Sequence, residues 1–184
     1  MDKTEDQLLI QRLTDPKTQR KAFEGLVRQY GEQLYWQIRR IVLTHEDADD
    51  VLQNTYIKAW NGLSSFHGDS KIITWLTRIA INESLDWKRR QKNATLISAD
   101  DTEMTNVAQT LMADKYFDGS SAEALLYEAI ERLPDVQRTV FHLRYFDEMK
   151  YSEISHITGT SEGALKASYH IAVKKITEYL KAHN

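Results

Sequence analysis

The sequence predicts an all-α chain: two small helical domains joined by an acidic linker, the second a helix-turn-helix domain. Three observations carry this. Glycine and proline are scarce, 7 and 2 in 184 residues, while helix-forming Leu, Ile, Ala, Glu, Lys and Gln are abundant. Apolar residues recur at three- and four-residue spacing over long runs, without strand-like alternation. Between two such regions the periodicity lapses over residues 94–121, a polar, acidic stretch too long for a loop inside one compact domain. The segments are therefore 1–93, 94–121 and 122–184.

Residues 21–43 read as an amphipathic helix, with Phe23, Leu26, Val27, Tyr30, Leu34, Ile38, Ile41 and Val42 on its apolar face. A second helix runs from Asp47 to Leu63, turning Ala48, Val51, Leu52, Thr55 and Ala59 inward. The loop NGLSSFHGDS follows, rich in Gly, Ser and Asn. A third helix, Ile72 to Gln91, buries Ile72, Ile73, Leu76, Ile79 and Ala80. The linker, with room for a short helix, ends in DGSSA. Helical pattern resumes at Ala122, and EALLYEAIERL stops at Pro134, a residue suited to the first turn of the next helix, PDVQRTVFHLRYF. KYSEISHITG and TSEGALKASYHIAVKKITEYL complete four short helices in the second domain.

Composition excludes several function classes. There is no cysteine, hence no disulfide or thiolate metal site. No apolar run of about 18 residues predicts a membrane span. The opening MDKTEDQLLIQRL is too acidic and polar for a signal peptide. The acid cluster HEDADD matches neither HExxH nor an EF-hand loop, and His142, His156 and His170 lack Glu-x-x-His partners. With no P-loop, Cys nucleophile or GxSxG, neither catalysis nor a metal or cofactor is expected. Net charge is −3, yet WKRRQKN is strongly basic and residues 98–119 strongly acidic.

Three stretches carry candidate binding chemistry. In YSEISHITGTSEGALKASYHIAVKKI, Gly159 supplies a left-handed turn, Ser161 caps the next helix and Glu162 favours its first turn. That helix buries Leu165, Tyr169, Ala172, Val173, Ile176 and Leu180. Its other face carries Gly163, Lys166, Ser168, His170, Lys174 and Lys181, the disposition of a helix that enters the DNA major groove. An ordinary helical hairpin with a solvated lysine face gives the same pattern. The third helix aligns Arg78, Asn82 and Arg89, with Lys88, Arg90 and Lys92 adding charge and Phe66, His67, Trp75 and Trp87 nearby. Basic groups interleaved with aromatics bind phosphates and stack unpaired bases, although cations also suit a helix C-terminus by the macrodipole alone. The second helix carries Asp47, Asp50, Gln53, Asn54, Ile57 and Asn61 opposite its core face. The dipole accounts for the acids, but an apolar Ile57 ringed by polar residues has the look of a partner-binding patch.

The whole chain resembles bacterial extracytoplasmic-function sigma factors, the small two-domain group of the sigma-70 family. FEGLVRQYGEQLYWQIRRIVLTHEDADDVLQNTYIKAW, the F…WLTRIAINESLDWKRR pair and LPDVQRTVFHLRYFDEMKYSEISHITGTSEGALKASYHIAVKKI occur in that order and spacing, spanning Phe23 to Leu180. The resemblance implies that DDVLQNTYIKAW docks on the clamp of the largest RNA polymerase subunit through Asp47, Asp50, Gln53, Asn54 and Ile57; Asn54 stands where many members have Glu. It implies that Phe66, His67 and Gly68, with Arg78, Asn82, Lys88 and Arg89, melt and read the promoter −10 element. It assigns the −35 element to Ser161, Glu162, Gly163, Lys166, Ser168, His170 and Lys174, and the polymerase flap to the second domain.

One departure stands out. Where the family often reads VKSRLHRA, this chain reads LKASYHIA, so Ser168 and Ile171 replace two arginines. Each lost phosphate contact flattens the salt dependence of binding by about one ion, and tethering on polymerase would restore affinity. The linker acids Asp100, Asp101, Glu103, Asp114 and Asp118 would track a basic polymerase channel; a solvated disordered spacer has the same composition. The implied partners are core RNA polymerase, promoter DNA and an anti-sigma factor, often membrane-bound in the family, for a cytoplasmic, non-enzymatic protein that does not itself insert in the membrane. A stand-alone helix-turn-helix regulator and a protein-only helical adaptor are the alternative readings.

Overall fold

A computed structural model of the chain describes residues 3–68, 70–97, 107–113 and 119–183. Among these residues every regular element is helical: α1 (Lys3–Thr14), α2 (Gln19–Val42), α3 (His45–Gly62), a 3-10 turn (Leu63–Ser65), α4 (Ile72–Ile97), α5 (Val107–Ala113), α6 (Ser121–Glu131), α7 (Asp135–Phe141), a π turn (His142–Phe146), α8 (Tyr151–Thr158) and α9 (Glu162–Ala182). The expected all-α architecture is therefore present. The chain divides into two compact units, one of Met1–Val42 with Glu46–Trp87, the other of Leu43–His45 with Lys88–Asn184.

In the first unit, Leu26, Leu34, Ile38, Val51, Ala59, Leu76 and Ala80 form the buried centre. The α2 stripe is buried as its spacing predicts, because residues three and four apart share one helical face. The interior also holds a polar bond: Thr77 donates to the Gln37 side-chain oxygen at 3.1 Å, tying α4 to α2. Helix α1 was not expected. Its apolar residues are too few for a periodic stripe, and it is anchored by Leu13, 1% exposed. Asp15 then stops it: its carboxylate accepts the Lys17 N–H at 2.9 Å and its carbonyl the Gln19 N–H at 2.8 Å, turning the chain into α2.

The second unit is built round Ala129, Ile130, Leu133, Phe141, Ala172 and Ile176, with Tyr169 and Leu180 partly buried against them. Ser120 caps α6 in a capping box with Glu123. The short α5, inside the expected linker, buries Leu111 to 3% exposure. Val173, expected in the core, is 38% exposed: the apolar stripe of α9 is wider than the surface that covers it. The linker acids Asp100, Asp101, Glu103, Asp114 and Asp118 lie outside the described residues.

Candidate functional site

The first candidate surface is the outer face of α3. Ala48, Val51, Thr55 and Ala59 are buried, which turns Asp50, Gln53, Asn54 and Ile57 to solvent. Ile57 is 59% exposed, the largest exposure among the large apolar side chains of the chain's described residues. Asp47 sits half-buried in the first turn. Trp60, one turn beyond Ile57 and 40% exposed, extends the apolar patch; sequence reading missed it, though its spacing from Ile57 was the signal. Its ring meets Phe23 edge-on with centroids 5.2 Å apart, which fixes its orientation.

The second surface is on α4. Ile72, Leu76, Ala80 and Ile81 point inward, leaving Arg78 and Asn82 exposed in the first unit; Arg89, also exposed, belongs to the second. Next to Asn82, Glu83 is turned in, 5% exposed, and paired with Lys58 of α3, an ion pair that locks the two helices in register. In the preceding loop, His67 and Gly68 are exposed, Gly68 at φ 80°. Phe66 departs from expectation: it is 7% exposed and packs on Trp75 with centroids 5.0 Å apart, so it holds the loop instead of facing outward. Lys88 departs too. It lies in the second unit, part-buried and paired with Glu131, which also takes Arg138 Nη1 at 2.7 Å. Burial lowers the Lys88 pKa, with the Glu131 carboxylate opposing that shift.

The third surface is the N-terminal half of α9. Gly159, at φ 70°, ends α8 with its N–H on the Ser155 carbonyl at 2.8 Å. Ser161 then caps α9, its hydroxyl accepting the Ala164 N–H at 3.4 Å. Leu165 and Ala172 are buried, so Glu162, Gly163, Lys166 and His170 face solvent, with Ser168 half-buried. Lys166 does not float freely. Its ammonium lies 5.7 Å from the centre of the Tyr151 ring, and the Arg144 guanidinium lies 5.4 Å from the same ring. Arg144 is itself held by the Met149 carbonyl at 2.8 Å. The result is an ordered cationic group at the start of α9, while Lys174, further along, is exposed and 4.0 Å from Glu178.

Among the described residues no group of three or more His, Cys, Asp or Glu side chains could hold a metal ion. Nor, among them, is any helix long and apolar enough to cross a membrane.

Comparison with known proteins gives two family matches: Sigma-70 region 2 over residues 26–94 and Sigma-70, region 4 over residues 123–176. The chain is similar to RNA polymerase sigma factor YlaC of Bacillus subtilis (strain 168), 31% identical over 153 residues, covering 83% of this chain and 88% of that protein. It is 28% identical over 172 residues to the ECF RNA polymerase sigma factor SigW of the same organism, covering 90% and 92%. In fold it matches the sigma factor RpoE solved in complex with the anti-sigma factor NepR from Bartonella quintana, with a TM-score of 0.70 and 24% identity over 89% of this chain and 99% of that one.

Proposed function

Because the chain belongs to the sigma-70 family, in its extracytoplasmic-function group, and is an RNA polymerase sigma factor of transcription initiation, we propose that its three exposed surfaces divide that task. The α3 face, Asp50, Gln53, Asn54 and Ile57 with Asp47 at its start and Trp60 at its end, docks on the clamp of the largest polymerase subunit. The α4 face, Arg78, Asn82 and Arg89 with His67 and Gly68, meets the −10 element as its strands part. The N-terminal half of α9, Ser161 to His170 with Lys174 beyond, meets the −35 duplex, and the second unit rests on the polymerase flap. Phe66 and Lys88 are left out of these sets, since their side chains are packed and paired within the protein.

The observation that carries this reading is that one unit presents two chemically different faces. An exposed Ile57 rimmed by Asp50, Gln53 and Asn54 has the apolar centre and polar edge of a protein interface. The exposed Arg78 and Asn82 suit phosphates and unpaired bases. Lys58–Glu83 ties the helices that bear them, so polymerase and DNA are held in fixed relation.

We further propose that an anti-sigma factor silences the protein by covering the polymerase-facing surface, a reading supported by the RpoE relative in fold, captured with such a partner. The protein then acts in the cytoplasm, where polymerase and promoters are, does no catalysis and needs no cofactor of its own.

The test is run-off transcription with purified core polymerase on pooled genomic promoter fragments. Discrete new transcripts that disappear with Gln53→Ala/Ile57→Ala are expected. No transcripts, together with specific retention of duplex DNA without polymerase, would replace this reading with a stand-alone regulator.

A further inference from the structure

A cleft of about 650 Å³ opens in the first unit between α1 and the first turns of α2. Arg12 of α1 and Lys21 and Arg28 of α2 line it, and among the described side chains no carboxylate does. That runs against the composition of the chain, in which 27 acids outnumber 24 Lys and Arg. The neighbouring Glu24 gives its carboxylate to Arg20 at 3.3 Å, and Arg28 receives from it only a backbone carbonyl, 3.4 Å from Nε. Like charges gathered in one cleft repel, and an anion between them relieves the repulsion. Leu9 and Ala22, both half-buried, supply an apolar wall beside the cations.

Gly25 is an independent pointer. Lys21, Gly25 and Arg28 share one face of α2, and Gly25 lines the cleft. A glycine inside a helix is destabilising relative to alanine. Packing explains such a residue at Gly62, where an added Cβ would meet the Trp75 ring at 3.2 Å. It does not explain Gly25, where a Cβ would meet nothing within 4 Å. Among the described residues nothing fills the room that Gly25 leaves. Arg12, Lys21 and Gly25 also precede residue 26, where the Sigma-70 region 2 match begins.

We propose that this cleft binds a nucleoside di- or triphosphate, with the phosphates on Arg12, Lys21 and Arg28 and the base against Leu9 and Ala22 above Gly25. The volume falls within the about 300–1,000 Å³ of small-molecule sites. Guanidinium forks match phosphate oxygens in pairs, and Lys adds a point charge. A nucleic-acid backbone, the other source of phosphate, needs neither an apolar wall nor a missing Cβ.

Titration calorimetry of the full chain with ATP, GTP, GDP and inorganic pyrophosphate tests this. Saturable binding of at least one nucleotide is expected, about tenfold tighter than pyrophosphate, weakened about tenfold by Arg12→Ala and by Lys21→Ala. Gly25→Ala is expected to raise the midpoint of thermal unfolding while weakening the nucleotide, a split that a purely structural glycine would not give. The proposal is overturned by no saturation with any nucleotide, by pyrophosphate binding as tightly, or by full affinity in Arg12→Ala and Lys21→Ala. Displacement of the nucleotide by a short single-stranded oligonucleotide at equal affinity per phosphate would reassign the cleft to nucleic acid and overturn it as well.

Discussion

Glu128 accepts a hydrogen bond from the Tyr179 hydroxyl at 2.6 Å, joining α6 to the end of α9 across 51 positions of chain. The same carboxylate oxygen takes Arg132 Nη2 at 3.1 Å, and the Arg132 guanidinium lies 4.9 Å from the centre of the Tyr179 ring. The Ala108 backbone N–H also donates to Glu128, so the start of α5 is tied to the same group. One side chain, 8% exposed, thus holds three helices of the second unit.

This arrangement makes stability depend on pH in a stated direction. The Tyr179 hydrogen bond is the main cause holding Glu128 below the usual carboxylate range. Its contribution is therefore full above the unfolded value of about 4.3 and is lost as pH falls through the lower, folded value. Burial, then the bond to Glu128, raises Tyr179 above its ordinary value, so its contribution is lost as pH rises past about 10 and through the folded value. At neutral pH Glu128→Gln is expected to cost about 1–3 kcal/mol in denaturant unfolding. The gap between wild type and variant should narrow towards about pH 3. A gap that stays constant would contradict the assignment.

Gly159 is expected to tolerate no ordinary side chain, and for one reason only. Open space surrounds an added Cβ, but φ is +70°. Gly159→Ala should cost about 1–2 kcal/mol, and Gly159→Asn less, since Asn visits that region more readily. Because the turn aims α9, promoter binding should fall with stability. Equilibrium unfolding of both variants checks the order.

Gln53→Ala and Ile57→Ala remove exposed side chains and should change stability by no more than about 0.5 kcal/mol. Affinity for core polymerase should nevertheless drop at least about tenfold with Ile57→Ala, as for an apolar anchor at the centre of a patch. Fluorescence anisotropy of labelled protein against core polymerase gives the number. Trp60→Ala should lower affinity in the same direction, with some loss of stability because Phe23 loses its edge contact.

Arg78→Ala/Asn82→Ala and Lys166→Ala should separate two DNA events. The first pair is expected to leave closed-complex formation intact and suppress opening, read by permanganate reactivity of unpaired thymines. Lys166→Ala should weaken closed-complex binding and reduce its salt slope by about one ion. Tyr151→Ala should mimic Lys166→Ala in part, since the Tyr151 ring orders that ammonium.

Much of the helical layout could be read from residue order, because helix periodicity is local. Leu26, Tyr30, Leu34 and Ile38 announce a buried stripe whatever they pack against, and Gly159 followed by Ser161 announces a stop and a start. The outward direction of Gln53, Ile57, Arg78 and Asn82 follows from the same periodicity, since each is opposite a buried stripe. Residue order was less informative where the decisive neighbour is distant. The resemblance puts Phe66 among the residues that meet the promoter, whereas the fold packs it on Trp75; Lys88 stands in a basic cluster along the chain, whereas the fold pairs it with Glu131, 43 positions away.

By itself, then, the sequence determined the helices with a periodic apolar stripe, most of their buried faces and the turn between α8 and α9, since these depend on residues within one or two turns, whereas α1 and the exposure of Val173 did not follow from it. Only the tertiary structure decided which polar groups stay available. It turned Glu83 inward to Lys58, set Lys166 over Tyr151 and closed α1 against α2 to bring Arg12, Lys21 and Arg28 to one cleft. The physical reason is that a helix dictates direction through its own backbone, whereas a charge or a ring acquires its environment from whatever segment the fold carries up to it.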